Sequence, residues 1–368
     1  MKITVILCTY NRCRSLATAL DSVAASRLPA AVDWEVLVVD NNSSDATAGV
    51  VKDFSSRFPG RFLYLREPQP GKSYALNSGI REASGDILAF MDDDVVVEPT
   101  WLESLTNAFR ESEWKGAGGR ILPQWSCTPP HWLPLEGRYS LAPLALFDLG
   151  STAAELHEAP FGTNMAFRKE MFSKHGFFRT DLGPRPDSQI RSEDTEFGHR
   201  LLKAGERFWY EPSAVVYHPV VADRIQKAYF LAWWFDKGRA EIREHGPIPG
   251  TRYFVWGIPL YLFRNLARRL LLWTVTFEPR ARFLCKVAVP RVEWCPISPR
   301  PVVHQIEPGV QAGAGGAAGG ADRAVLPEQR AVLGQRIEVR GLHDRMADRR
   351  QAFGAPLVGG DEENFSGV

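Results

Sequence analysis

The sequence is poor in cysteine, which excludes two common structural frameworks. Its 368 residues contain only five Cys, with no CxxC pair and no paired Cys and His at the spacing of a zinc site. Cys8 lies in an apolar run and Cys13 follows a predicted turn. We interpret them as free thiols in a reducing compartment rather than as half-cystines or metal ligands.

Neither sign of charge is in excess. Lys and Arg total 44 and Asp and Glu total 43, so the chain carries no field of one sign that would attract nucleic acid. Motifs for two nucleotide sites are also missing. No GxGxxG follows the first predicted strand and there is no GxxxxGKS, which argues against a dinucleotide cofactor and a Walker loop. We expect no nucleic-acid partner.

Long hydrophobic runs are absent. The apolar run after Lys2 is too short for a signal peptide. The longest later candidate, Tyr253–Phe263, is interrupted by Gly257 and Pro259 and falls short of the about 18 apolar residues that a membrane span needs. We therefore expect a cytoplasmic protein, either soluble or peripheral on the inner face of the cytoplasmic membrane.

What is present is an alternation of β-branched runs with helical patterns over the first 120 residues. The predicted strands are Ile3–Leu7, Trp34–Val39, Phe62–Leu65 and Asp86–Met91, and the predicted helices are Arg14–Ala25, Ser44–Phe58 and Ser73–Ala83. This alternation predicts an α/β fold with a mostly parallel sheet sandwiched by helices. Further on, FGTNMAFR and AVVYH are strand-like, and Glu193–Ala204 has a helical pattern.

Polar clusters follow three of the predicted strands: Thr9–Arg12, Asp40–Ser43 and Asp92–Asp94. Parallel α/β sheets bind ligands beyond the carboxyl ends of their strands. The three carboxylates of Asp92–Asp94 would repel one another, and a Mg²⁺ or Mn²⁺ ion would relieve that repulsion. The alternative is a solvated acidic turn. Asp40 fits a contact to a ribose or base, whereas Ser43 or Ser44 fits the N-cap of the following helix.

Three further features each allow a structural and a functional interpretation. Gly71-Lys72 at a helix start favours a bound anion such as phosphate. Glu193-Asp194 either complement a helix dipole or include a general base. His218, at the end of AVVYH, is either a buried structural side chain or a metal ligand.

The rest of the chain differs in composition from the first 120 residues. Residues 122–160 are rich in Pro and Trp and are predicted to form a long surface loop. In Leu260–Val275, Arg264, Asn265, Arg268 and Arg269 share one helical face, which predicts a basic amphipathic helix at a membrane surface. The alternative is a helix packed on the preceding domain. From about residue 296 the sequence has low complexity, and we expect disorder.

Six segments between about Lys2 and Val221 resemble, in their order, glycosyltransferase family 2. They are CTYNR, VVDNNSSD, GKSYALNSGI, FMDDDV, GTNMAFRKE and SEDTEFGHRLLKAG. The resemblance implies a GT-A fold and inverting transfer from a nucleotide-sugar donor. It also implies a catalytic domain at 1–222, with a nucleotide-sugar-binding half at 1–120 and an acceptor half at 121–222. A membrane-associated helical region at 223–295 and a tail at 296–368 complete the predicted organisation.

The resemblance also suggests roles for individual residues. The predicted nucleotide-sugar contacts are Thr9, Tyr10, Asn11, Arg12, Asp40, Asn42, Lys72, Asn77, Asp92 and Asp93. The donor sugar and acceptor would meet Gly162, Thr163 and Asn164. Asp94, Asp92 and His218 are the predicted ligands of a Mn²⁺ or Mg²⁺ cofactor, with Asp94 the principal one and the role of Asp93 the least defined. Asp194 is the predicted general base and Glu193 its helper.

The implied reaction moves one sugar, most often from a UDP-sugar in this family, to a hydroxyl of a glycan or lipid-linked acceptor. No QxxRW motif is present, which favours one transfer per encounter over processive synthesis. Two other functions are considered. A non-catalytic nucleotide-sugar-binding scaffold of a membrane glycan-assembly complex would not need Glu193-Asp194. A sugar-phosphate nucleotidyltransferase should carry a Gly-rich loop after the first strand, and CTYNRCRS contains no Gly.

Overall fold

The structure is a computed structural model that describes the chain in several stretches. They are residues 1–28, 32–135, 141–186, 188–245, 253–255, 258–277, 279 and 283. The predicted tail at 296–368 lies outside the described residues, as does the predicted helical region beyond residue 283.

The first part of the chain alternates strands and helices, as the sequence predicts. Its elements are β1 (Lys2–Thr9), α1 (Cys13–Ala24), β2 (Asp33–Asp40), α2 (Thr47–Arg57), β3 (Phe62–Arg66), α3 (Lys72–Glu82) and β4 (Ile87–Asp92). Consecutive residues of β1 and β2 are buried, because helices cover both faces of a parallel sheet.

The remaining elements vary more in length and do not alternate regularly. They are β5 (Val96–Val97), α4 (Trp101–Ala108), β6 (Trp114–Trp125), β7 (Ala154–Leu156), β8 (Asn164–Arg168), α5 (Glu170–His175), α6 (Glu193–Lys203), β9 (Arg207–Val220), α7 (Lys227–His245), β10 (Phe254–Val255), β11 (Ile258–Pro259) and α8 (Leu260–Val275). Two 3₁₀ turns, Ala142–Leu144 and Ala222–Ile225, lie among them. The predicted strand AVVYH is thus the end of the much longer β9.

The main sheet has the strand order β3–β2–β1–β4–β8–β6–β9–β5, with β7 paired to β9. The longer ladders, β1 with β2 and β4, β2 with β3, and β6 with β9, are parallel. Strand β8 is antiparallel to both of its neighbours, β4 and β6. This arrangement confirms the predicted α/β fold with a mostly parallel sheet.

The strand order also locates the cleft. From β1 the chain proceeds outward to β2 and β3, then returns to place β4 on the other side of β1. At such a reversal the connections after neighbouring strands lead away from each other, which opens a crevice at the carboxyl ends of the strands. In this chain the crevice lies where β1 and β4 end.

The start of α2 differs from the prediction. The helix begins at Thr47 rather than Ser44, and Asp45 Oδ1 accepts from the Thr47 amide at 3.0 Å. Ser43 Oγ instead accepts from the Asn11 amide at 2.9 Å, and the Ser44 amide donates to Asn11 Oδ1 at 2.8 Å. The two serines do not cap α2, because they join the turn after β2 to the turn after β1.

The predicted membrane-surface region, residues 223–295, separates into two parts where it is described. Phe230 and Trp234 of α7 are buried in the main hydrophobic core, so α7 follows the alternative of a helix packed on the domain. In α8, Leu266, Leu270 and Leu271 are exposed. Across the part of the chain that the structure describes, no helix has both the length and the hydrophobicity to cross a membrane.

Candidate active site

A cleft of about 940 Å³ opens at the carboxyl ends of β1 and β4. Thirteen of the seventeen predicted site residues line it, although they come from distant parts of the chain. They are Thr9, Tyr10, Arg12, Asn42, Lys72, Asp92, Asp93, Asp94, Gly162, Thr163, Glu193, Asp194 and His218. The structure therefore brings the predicted donor residues and the predicted catalytic pair to one cavity.

Two of the predicted contacts, Asn77 and Asn164, do not line this cleft. Asn77 donates to the Phe178 carbonyl at 2.9 Å and accepts from the Phe178 amide at 3.0 Å. Asn164 accepts from Trp101 Nε1 at 2.8 Å and donates to the Arg120 and Ala214 carbonyls. Both amides are buried and hydrogen-bonded within the protein, and their predicted contacts with substrate stay predictions.

Asn11 and Asp40 lie close to the cleft without lining it. Asn11 has a left-handed φ of 53°, and its side chain is bonded to Ser44. Asp40 is 3% exposed and accepts from the Ser43 amide and the Tyr64 hydroxyl, each at 2.8 Å. In this structure both side chains organise the turns that hold the adjoining cleft residues Tyr10, Arg12 and Asn42.

Lys72 is the charged centre of the cleft floor. Its Nζ donates to Asp92 Oδ1 at 2.9 Å and lies 3.5 Å from Glu193 Oε1. The second oxygen of Asp92 accepts from Thr163 Oγ1 at 2.7 Å. Burial opposes the charge on both partners, but their attraction outweighs it, so the pKa of Asp92 is lowered and that of Lys72 is raised.

Asp93 points away from Lys72 and ties β4 to the turn after β1. It accepts from Thr9 Oγ1 at 2.7 Å and from Arg12 at 2.9 Å. Burial outweighs the attraction of Arg12 and raises the pKa of Asp93 to about 6. These contacts join Asp93 to Thr9 and Arg12 at the cleft rim, and its predicted contact with the nucleotide sugar stays a prediction.

Asp94 and His218 form the part of the cleft that suits a metal ion. Asp94 Oδ1 lies 3.8 Å from His218 Nε2, and Asp94 Oδ2 accepts from Arg12 at 3.0 Å and Arg224 at 3.3 Å. His218 is 3% exposed, and burial lowers its pKa, so the imidazole is neutral at pH 7. Its Nδ1 has no hydrogen-bond partner among the described residues.

This donor set fits a divalent cation. Mn²⁺ binds carboxylates and neutral imidazoles. When no cation is bound, Arg12 and Arg224 balance the negative charge of Asp94. Asp94 and His218 lie 3.8 Å apart, whereas Asp92 is hydrogen-bonded to Lys72 and Thr163, and the predicted three-residue ligand set stays a prediction.

The catalytic pair opens helix α6. Ser192 has a left-handed φ of 83°, and the next two residues, Glu193 and Asp194, line the cleft. Asp194 Oδ2 accepts from the Gly162 amide at 2.7 Å, which fixes one carboxylate oxygen. Glu193 is 3% exposed, and burial raises its pKa against the opposing charge of Lys72. The two acids therefore have different environments although they are adjacent.

The sequence interpretation missed the wall that α7 contributes. Tyr229, Trp233, Trp234 and Lys237 line the cleft, and Lys237 Nζ donates to Ser192 Oγ at 2.9 Å. Tyr229, Trp233 and Lys237 recur at a spacing of four residues, which places them on one helical face. That periodicity could have indicated a helical face that lines the cleft. The aromatic and basic composition instead favoured the prediction of a membrane-surface region.

Comparisons with known proteins identify similar sequences and structures. Residues 4–176 match the family model described as Glycosyl transferase family 2. A glucosyl-dolichyl phosphate glucuronosyltransferase of Haloferax volcanii is 27% identical over 241 residues, which cover 64% of this chain and 75% of the relative. The succinoglycan biosynthesis protein ExoM of Rhizobium meliloti is 28% identical over 244 residues, which cover 66% of this chain and 75% of the relative.

Among solved structures, the mannosyltransferase PcManGT of Pyrobaculum calidifontis in complex with GDP-Man and Mn²⁺ is 19% identical, with a TM-score of 0.49. The superposition covers 78% of this chain and 69% of that one, and at this level of similarity it adds nothing to the assignment. The match over residues 4–176, the curated relatives and the α/β sheet with its cleft together support a family 2 glycosyltransferase that transfers a sugar from a nucleotide-sugar donor.

Proposed function

We propose that this chain transfers one sugar at a time, with inversion, from a nucleotide-sugar donor to a hydroxyl of a glycan or lipid-linked acceptor. The observation that carries the proposal is the position of Lys72 between Asp92 at 2.9 Å and Glu193 at 3.5 Å. The donor-side carboxylates and the Glu193-Asp194 pair thus face the same cavity, as a reaction between two substrates requires. A UDP-sugar is the first donor to test.

The acceptor class is supported by the relatives. One is named for transfer to glucosyl-dolichyl phosphate and another for succinoglycan biosynthesis, so both names point to lipid-linked or polysaccharide products. The aromatic side chains Tyr229 and Trp233 along the cleft wall are suited to stacking on a sugar ring of such an acceptor.

Asp194 is the proposed general base. Oδ2 is held by the Gly162 amide at 2.7 Å, and Oδ1 accepts from the Thr195 amide at 2.7 Å. The Asp194 carboxylate takes the proton of the acceptor hydroxyl while that oxygen attacks the anomeric carbon. The bond to the nucleoside diphosphate breaks on the opposite face, which inverts the anomeric centre in a single displacement.

Glu193 is the proposed acceptor-binding partner of this base. Because burial raises its pKa, Glu193 retains a proton more readily than an exposed carboxyl does, and a protonated carboxyl donates a hydrogen bond. Lys72 places a positive charge beside the donor, where the leaving diphosphate becomes negative.

Asp94 and His218 would hold the proposed Mn²⁺ or Mg²⁺ cofactor, with Asp92 on its nucleotide side. A bound divalent cation supplies positive charge against the negative charge that develops on the departing nucleoside diphosphate.

A panel of UDP-, GDP- and dTDP-sugars tests the proposal, scored by thermal shift and by donor hydrolysis with Mn²⁺ and then with chelator. We expect a metal-dependent response to one donor class. Asp194→Asn should keep the donor-induced thermal shift and lose turnover. Absence of a metal-dependent response to every donor would contradict the assignment, and donor binding without turnover in the unsubstituted protein would favour the scaffold alternative.

We also propose that α8 places the enzyme on the inner face of the cytoplasmic membrane. Leu270, Leu271 and Val275 are 51%, 66% and 61% exposed, beside Arg264 and Arg268. Exposed apolar side chains next to basic ones are typical of interfacial helices.

Flotation with anionic and neutral vesicles tests this placement. The double change Arg264→Glu and Arg268→Glu should weaken binding to anionic vesicles by more than about tenfold, since each basic residue near the surface contributes about 1 kcal/mol. Arg110→Glu, at an exposed position after α4, is the matched change of charge and should leave binding unaltered. Equal loss in both variants, or no flotation of the unsubstituted protein, would refute the placement.

A further inference from the structure

A second group of possible metal ligands lies in the cleft, away from the Asp94 site. His199 on α6 places Nδ1 2.7 Å from Glu244 Oε1, near the C-terminal end of α7. His245 places Nε2 3.2 Å from the same oxygen. The three ligand atoms all lie within 4.8 Å of one another. Two helices thus direct two imidazoles at one carboxylate.

The carboxylate of this group is buried and incompletely bonded. The Glu244 side chain is 4% exposed, and its Oε2 has no hydrogen-bond partner among the described residues. Buried polar atoms in native proteins nearly always have a partner, so an oxygen of this kind calls for an additional ligand. His199 and His245 are 33% and 15% exposed, so the group remains accessible from the cleft that all three residues line.

We propose that His199, Glu244 and His245 bind a divalent cation of the zinc class. Two imidazoles and one carboxylate form the ligand set of zinc sites with three protein ligands and one open position. With bonds of about 2.0–2.1 Å, a tetrahedral shell separates its ligand atoms by roughly 3.3 Å. The observed separations from Glu244 Oε1, 2.7 Å to His199 Nδ1 and 3.2 Å to His245 Nε2, are close to this value, and all three ligand atoms lie within 4.8 Å of one another.

The position of the group suggests what the ion does. Asp194 and His199 lie on the same helix, five residues apart, which corresponds to about 7.5 Å along the axis. The ion would therefore join the C-terminal end of α7 to the helix that carries the proposed general base, within the cleft that His199, Glu244 and His245 line. It would fix the cleft wall formed by Trp233 and Lys237 and accept an oxygen of the acceptor.

The two metal sites differ in chemistry. The Asp94 site would share its ion with diphosphate oxygens, which suits Mg²⁺ or Mn²⁺, whereas the nitrogen-rich site on α6 and α7 favours Zn²⁺ or Co²⁺. The sites can therefore be studied separately, and the second does not depend on the proposed transfer reaction.

The test uses the full chain without a histidine tag, stripped with chelator, in an Asp94→Ala background that removes the first site. Co²⁺ is titrated by visible absorption and then displaced by Zn²⁺. We expect one bound Co²⁺ per chain. His199→Ala and Glu244→Gln should each weaken binding by more than about tenfold, as loss of a ligand does. His157→Ala, which removes a cleft histidine outside the group, should bind as the background protein does.

His199→Cys gives a direct readout of coordination, because a thiolate bound to Co²⁺ adds a charge-transfer band in the near ultraviolet. This variant keeps three ligands, so it also covers the case in which His199→Ala fails to fold, a case that far-ultraviolet circular dichroism identifies. The proposal is overturned by absence of a Co²⁺ spectrum in the background protein, by unaltered binding in Glu244→Gln, or by a Cys variant without the new band.

Discussion

Gly162 is the position at which the smallest substitution should disable catalysis. A Cβ added there would lie 2.8 Å from Asp194 Oδ2 and 3.3 Å from Asp194 Cγ, where ordinary contact begins near 3.4 Å. Gly162→Ala must therefore move the Asp194 carboxylate by several tenths of an ångström and lengthen its 2.7 Å bond from the Gly162 amide. A misplacement approaching 1 Å costs about 100-fold in rate.

We expect kcat to fall about 100-fold in Gly162→Ala while the Kd of the nucleoside diphosphate stays unchanged, because neither Lys72 nor the proposed metal site at Asp94 is displaced. Steady-state transfer kinetics and isothermal titration measure the two quantities. Gly49→Ala, in α2, is the matched control, since nothing lies within 4 Å of its added Cβ. Full activity of Gly162→Ala, or an equal loss of diphosphate affinity, would refute the reasoning.

Three other substitutions separate catalysis, electrostatics and structure. Asp194→Asn should lower kcat by about 10²–10⁴-fold. Calorimetry should show undiminished donor binding. Retained turnover would show that Asp194 is not the general base. The folded-state pKa of Asp93, about 6, exceeds its ordinary 3.8, so the folded protein binds this proton more tightly. The free energy of unfolding should therefore fall by roughly 3 kcal/mol as pH rises through that window. Asp93→Asn should reduce this pH dependence of the free energy of unfolding, measured by urea unfolding with chelator. An unchanged pH dependence would contradict the raised pKa of Asp93. Asn77→Ala leaves the buried amide and carbonyl of Phe178 without partners, so it should destabilise the fold by about 2–4 kcal/mol and leave the donor Kd unaltered. Weaker donor binding at unchanged stability would support the predicted contact of Asn77 with the donor.

Local periodicity was sufficient for the first half of the fold. The strands and helices from β1 to β4 follow their predicted positions closely, because their alternation is expressed within short windows of sequence. The insertion of β8 between β4 and β6 in the antiparallel direction was not predictable in this way. Strand direction depends on how the long connection from residue 126 to 163 is routed, and no local pattern encodes that route.

Residue type and position, after strands or at helix starts, were sufficient to predict which polar groups gather at the cleft. Lys72, Asp94 and Asp194 are among them. Only the tertiary structure decided which of the polar groups are hydrogen-bonded within the protein and which line the cleft. Asn77 is bonded to a backbone 101 residues away, a partner that no sequence spacing reveals. Likewise, α7 becomes a cleft wall and His199 meets Glu244 because two helices pack together, and packing brings together side chains that are independent along the chain.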